Sequence, residues 1–184
     1  MQTQRNGNAL KGEIVVRVEQ AVQAPAEVVY ELLADVGGHL EWGGRMQKKN
    51  YRLLSIQAPE GPASVGTEFS SSGADAMGTF IDTSVVTEAT RPSLFEFVTE
   101  ARLSTKRGKV VEWTLVHRYE ISSGAEDSTV SYTIRTVRIS ELPGALRLFN
   151  VLGLRALLTG LARSNVRRGF RNLVKMSEQR ASAR

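Results

Sequence analysis

His39 and His117 are the two histidines of this 184-residue chain, and cysteine is absent, so proton transfer near neutral pH would fall first to an imidazole. His117 stands in the run Val110 to Ser122, where Val111, Trp113, Leu115, His117, Tyr119 and Ile121 form the more apolar alternate set. The other set holds Glu112, Arg118 and Glu120. Strand alternation therefore turns His117 inward, near Trp113, Tyr119 and Tyr132, where it could act as a general base or as a hydrogen-bond partner for a ligand. An inward histidine bonded to a tyrosine, with a purely structural role, fits the same pattern. In the run Thr79 to Glu88, setting Val86 inward also turns Phe80, Asp82 and Ser84 inward, although Ile81, Thr83 and Val85 are almost as apolar. An inward Asp82 could polarise His117 or accept from a ligand hydroxyl; a surface aspartate fits the ambiguous alternation as well. In Thr129 to Ile139 the rule sends Val130, Tyr132, Ile134 and Thr136 inward and leaves Arg135 and Arg138 outside.

Other chemistries lack their residues. The histidines are about eighty residues apart and neither sits in a ligand-spaced cluster with carboxylates, so no metal is expected. There is no Gly-x-Ser-x-Gly elbow, no Gly-x-Gly-x-x-Gly fingerprint and no phosphate loop ending in Gly-Lys-Ser/Thr, so hydrolysis by a serine nucleophile and nucleotide cofactors are not expected. The expected cofactor set is none.

These side chains need elements to hold them. Ile14, Val16 and Val18 alternate with polar neighbours, which predicts a strand from about Glu13 to Val22. After Pro25 the period changes: Val28, Val29, Leu32, Leu33 and Val36 recur at helical spacing until Gly37-Gly38, and His39 to Trp42 can add a short turn before Gly43-Gly44. Six further strands are predicted at Tyr51–Gln57, Gly66–Ser71, Thr79–Glu88, Leu94–Leu103, Val110–Ser122 and Thr129–Ile139. The breaks between them, Ser72 to Asp75 among them, are short, so neighbours should pair antiparallel in a meander. Beyond Pro143-Gly144 the pattern is helical. Leu154, Leu158, Leu161, Ala162, Asn165, Val166, Gly169, Leu173 and Met176 lie near one stripe, with a kink or break open at Gly153 or Gly160. Only this helix is long enough to cover the apolar face of the sheet.

Composition points to one globular domain: 41% hydrophobic and 23% charged residues, with Met1 to Gly12 as a disordered tail, the domain over 13–180 and a frayed end at 181–184. The tail has no apolar stretch of signal length, and the Leu142 to Leu161 region is interrupted by Pro143, Arg147, Asn150 and Arg155. A soluble, cytoplasmic protein is the expectation. The net charge of +5 is uneven, with +8 from Ala145 onward and −3 before it, so the basic character belongs to the last helix.

The run Val22-Gln23-Ala24-Pro25-Ala26-Glu27-Val28-Val29-Tyr30-Glu31-Leu32-Leu33-Ala34-Asp35, followed by Trp42, resembles the opening of the START-like helix-grip superfamily, also called SRPBCC. Val65-Gly66-Thr67, then Val86 to Pro92 leading into Leu94-Phe95-Glu96-Phe97, and the terminal helix extend the likeness over about Glu13 to Gln179. Within the superfamily the chain most resembles the polyketide cyclase/dehydrase type. The resemblance implies an α+β helix-grip fold: a seven-stranded curved antiparallel sheet wrapped around a long C-terminal helix, with two short helices after the first strand. It also implies a cavity between sheet and helix for a small apolar or amphipathic molecule. Ligand-contact candidates are then Trp42, Tyr51, Phe80, Phe97, Trp113, His117, Tyr119, Tyr132, Asn165 and Phe170. Most of the aromatic ones fit plain core as well. Arg45 lies near the implied mouth, where paired donors could hold a carboxylate or enolate oxygen.

Three functions follow from this reading. A carrier or sensor needs only the fold and an apolar lining. A polyketide cyclase or aromatase would need His117, Asp82, Arg45 or a tyrosine to position an enol and move protons. A lipid-handling protein would use the basic helix for peripheral contact with an anionic membrane. Nucleic acid is not an expected partner, because no recognition motif accompanies the charge.

Overall fold

The computed structural model describes residues 13–44, 51–75, 78–124, 126–140 and 152–183. Strand β1 (Ile14–Val22) leads into helix α1 (Ala26–Ala34), a 3-10 turn (Val36–Gly38) and a π-helical turn (Leu40–Gly44). Strands β2 (Tyr51–Gln57), β3 (Glu68–Asp75), β4 (Gly78–Thr90), β5 (Leu94–Thr105), β6 (Val110–Ser123) and β7 (Ser128–Ile139) follow, and α2 (Leu152–Ser182) ends the order. The strands form one seven-stranded sheet in the order β1-β7-β6-β5-β4-β3-β2. All pairs are antiparallel, and only the β1–β7 pair joins strands distant in sequence.

Local chemistry sets the first helix. Pro25 caps α1 with its carbonyl, which accepts from Val28 N at 3.0 Å. Asp35 stops the helix and accepts from Gly38 N at 3.1 Å, which tightens the next turn. The register shifts within the β2–β3, β4–β5 and β6–β7 pairs, and such irregularities bend a sheet toward one face. That concave face receives α1 and α2: Val29, Leu33, Phe95, Val130, Phe170, Leu173 and Val174 belong to one buried cluster. Two hydrogen bonds tie α2 to the start of the chain, from Gln23 N to Glu178 Oε1 at 3.2 Å and from Asn172 Nδ2 to the Trp42 carbonyl at 3.1 Å. Arg163, Arg167, Arg168, Arg171 and Lys175 are exposed, as the helix pattern predicts. Among the described residues no helix is long and apolar enough to cross a membrane.

The structure differs from the sequence reading at several boundaries. Ser72 to Asp75, predicted as a break, is strand. Gly73 pairs with Phe80 and Leu53, and neighbours on both sides override a turn-like composition. β3 starts at Glu68 and not at Gly66, because Gly66 takes a φ of +87° in a turn, although its N–H still bonds to the Val86 carbonyl at 2.9 Å. Helix α2 is unbroken through Gly160. It also continues through Ala181 and Ser182, past the predicted fraying point, with Ser182 Oγ donating to the Glu178 carbonyl. The predicted start of that helix, before Leu152, lies outside the described residues, as does the expected tail over residues 1–12.

Candidate functional site

Register places the inward residues in rows across β4, β5 and β6. Phe80, Leu103 and Val111 form the first row, Asp82, Ala101 and Trp113 the second, Ser84, Thr99 and Leu115 the third, and Val86, Phe97 and His117 the fourth. β3 adds Ser71 beside Asp82 and Phe69 beside Ser84. β7 adds Thr136 beside Leu115, Ile134 beside His117 and Tyr132 beside Tyr119. The ambiguous alternation of β4 is resolved: Phe80 is 4% exposed and Ile81 is 63% exposed, so Asp82 does face inward.

Burial along these rows is uneven. One end is sealed by Phe80, Leu103 and Val111, a small cluster of their own. The other is sealed by Phe95, Tyr119, Ile121 and Val130, with Phe170 and Leu173 of α2 in the same cluster. Between them Ser71, Asp82, Trp113, Leu115, His117, Ile134 and Thr136 are only half-buried. Small side chains lie among them. Ala101 and Ser71 flank Asp82, and Ser84 and Thr99 satisfy each other across 2.8 Å. The middle of the concave face therefore mixes buried small residues, Ala101, Ser84 and Thr99, with half-buried side chains and polar groups.

His117 stacks on Phe97, with centroids 4.5 Å apart and planes at 9°, and its Nδ1 shares a hydrogen bond with the Tyr132 hydroxyl at 2.8 Å. Tyr132 is joined in turn by a side-chain hydrogen bond to Tyr119, whose ring lies 4.3 Å away. Loss of solvation, with His39 adding to it, pulls the His117 pKa down to about 3, so the ring is neutral at physiological pH. Burial also pushes the Tyr119 hydroxyl well above its ordinary range. Asp82 is raised to about 6 by burial, against the opposing pull of a long 3.4 Å bond from Ser71 Oγ.

Asp82 does not polarise His117. Asp82 shares a row with Trp113, four residues from His117 on the same strand and two strands away, so the two sit roughly 13 Å apart along the strands and roughly 10 Å across them. The partner of His117 is a tyrosine. Trp42 is 7% exposed and packs on His39 at 4.6 Å, and its Nε1 is buried without an acceptor among the described residues. Phe80 and Phe170 are buried in the two sealing clusters and not in the half-buried strip. Tyr51 opens β2 opposite Asp75, and Asn165 lies within α2; Arg45 lies outside the described residues.

His39 was not among the predicted site residues. It is buried, donates through Nε2 to the Leu33 carbonyl at 2.7 Å, and is held to a pKa of about 4 mainly by burial. It touches Phe69 and Phe97 and so joins the short turn to the concave face of the sheet. Its three-residue spacing from Trp42 on a helical turn is the signal in the sequence that points to it. A separate surface groove of about 430 Å³ lies between α1 and the end of α2, lined by Leu32, Asp35, Gly38, Glu41, Met176, Gln179 and Arg180, and contains none of the predicted site residues.

No family model matches the chain, and no curated protein matches it. Solved structures do. A conserved protein from Geobacillus kaustophilus superposes with a TM-score of 0.61 at 13% identity, over 90% of this chain and 95% of that one. Ara h 8.0201 gives 0.58 at 11% identity, over 94% of this chain and 100% of its own. DynU16, a protein of the dynemicin biosynthetic locus, gives 0.51 at 16% identity, with 93% of this chain matching 49% of that one. Identities this low establish the fold, which is the helix-grip fold, consistent with the START-like resemblance of the sequence; they carry no function with them.

Proposed function

We propose that the protein binds a small hydrophobic or amphipathic molecule in the hollow between the sheet and α2, as a carrier or sensor. The observation that carries this reading is the half-buried strip from Trp113 through Leu115 and His117 to Ile134 and Thr136, lying between two sealed apolar clusters. Interiors normally pack without gaps, and a concave apolar surface with a few polar groups is the usual form of a ligand site. Native mass spectrometry of freshly purified protein should find a bound small molecule, and the neutral dye N-phenyl-1-naphthylamine should gain fluorescence on binding. Leu115→Trp, which fills the strip, should abolish both while the circular dichroism spectrum stays unchanged. A wild-type protein that carries no guest and takes up no dye overturns the reading.

One observation favours a second reading, an enzyme acting on a polyketide-like chain. A carboxyl raised to about 6, as Asp82 is, exchanges protons near neutral pH and could move one at an enolisable carbon. Cyclised product from a poly-β-ketone analogue, absent in Asp82→Asn, would support catalysis; saturable binding without product supports the carrier.

A further inference from the structure

The charge of the hollow constrains what it accepts. Among the described side chains of β4 to β7, Asp82 is the one acid on the concave face, and no described lysine or arginine of those strands shares that face with it. The arginines of the sheet stand on the outer face, where Arg118 binds Glu88, Glu96 and Glu120, Arg135 pairs with Glu13 and Arg138 pairs with Glu100. Arg163, Arg167, Arg168, Arg171 and Lys175 of α2 are exposed to solvent. The inward polar groups that accompany Asp82 are uncharged: Ser71, Ser84, Thr99 and Thr136, with a neutral His117 farther along. Ser84 and Thr99 are committed to each other, and Ser71 reaches Asp82 only weakly at 3.4 Å. A half-buried carboxylate with one long bond retains acceptor capacity for a guest.

We propose that the guest is a neutral or cationic amphiphile whose hydroxyl or ammonium group is held by Asp82, its apolar body lying along Trp113, Leu115 and the His117–Phe97 stack, and that carboxylate heads are rejected. The inference rests on the reading of the hollow as a ligand site, and it separates a hydroxylated or amine-bearing guest from a fatty acid. An anionic head placed there would meet a like charge in a poorly solvated setting, with no described lysine or arginine of β4 to β7 on that face to offset it.

The test is a head-group series on one chain length, at mildly alkaline pH where Asp82 is ionised: decylamine, decan-1-ol and decanoate, each displacing N-phenyl-1-naphthylamine. The amine and the alcohol should compete, and decanoate should be weaker than the amine by about tenfold or more. Asp82→Asn, which keeps the size of the side chain, should bring the three within about threefold of one another. Equal displacement by all three in the wild type, or preference for decanoate, overturns this inference while leaving the hollow a binding site. Failure of the dye itself to bind overturns the binding reading instead. The wild-type series decides the matter even if the variant folds poorly.

Discussion

The two imidazoles and the inward carboxyl of Asp82 respond to pH with opposite signs, and the balance can be measured. His39 and His117 fall from an ordinary 6.5 to about 4 and about 3, so between those values and 6.5 the unfolded chain binds protons that the folded one does not. Their contribution is full above 6.5 and is lost as pH falls. Asp82 rises from 3.8 to about 6; its contribution is full below 3.8 and is lost as pH rises through 6. Two groups outweigh one. The urea midpoint of the wild type should climb as pH goes from about 4 to 6.5, and in the double variant His39→Gln, His117→Phe the slope over about 4 to 6 should reverse. A slope unchanged in that variant would show that other groups control acid stability. Much of this scale was legible beforehand, since alternation turned His117, Tyr132 and Asp82 inward. The partners were not, because register and not spacing decides that His117 meets Phe97 and Tyr132 while Asp82 meets Ser71 and Ala101.

At the scale of elements, β4 and β5 form the spine of the concave face, and their pairing begins at Gly78. A Cβ on Gly78 would run into the backbone carbonyl of Ser104 on β5, and no flexible side chain is there to yield. Gly78→Ala should therefore cost roughly 2 kcal/mol or more in chemical denaturation. Gly43→Ala, with open space around the same position, is the control and should change stability little. Helix α1 was plain in the sequence because Val28, Val29, Leu32 and Leu33 give a full buried stripe after Pro25. β3 was half missed. Its Ser-Ser-Ser-Gly-Ala-Asp run has no apolar alternation, and it is strand because β2 and β4 hold it from either side.

For the molecule as a whole, α2 is what closes one end of the sheet. Its later turns seal one end of the concave face through Phe170, Leu173 and Val174, and Ser177 beside them is fully buried, with its hydroxyl donated back to the Leu173 carbonyl. Leu173→Ala should cost about 2–5 kcal/mol, read from the urea midpoint, because the rigid sheet beneath cannot close the cavity left behind. Loss of less than half of the lower figure would mean that α2 grips the sheet loosely.

Periodicity specified α1, α2 and the strands other than the second half of β3, and the apolar face of each except β4, because a period of two or of 3.6 residues is a local property of the chain. Which part of the concave face is buried and which is half-buried was decided only when seven strands were laid in register. Phe80, Leu103 and Val111 then fall side by side at one end, aromatic rings fall together at the other, and the small residues Ser71, Ser84, Thr99 and Ala101 meet between them. A hollow is a sum over side-chain volumes on neighbouring strands, and no single segment contains that sum.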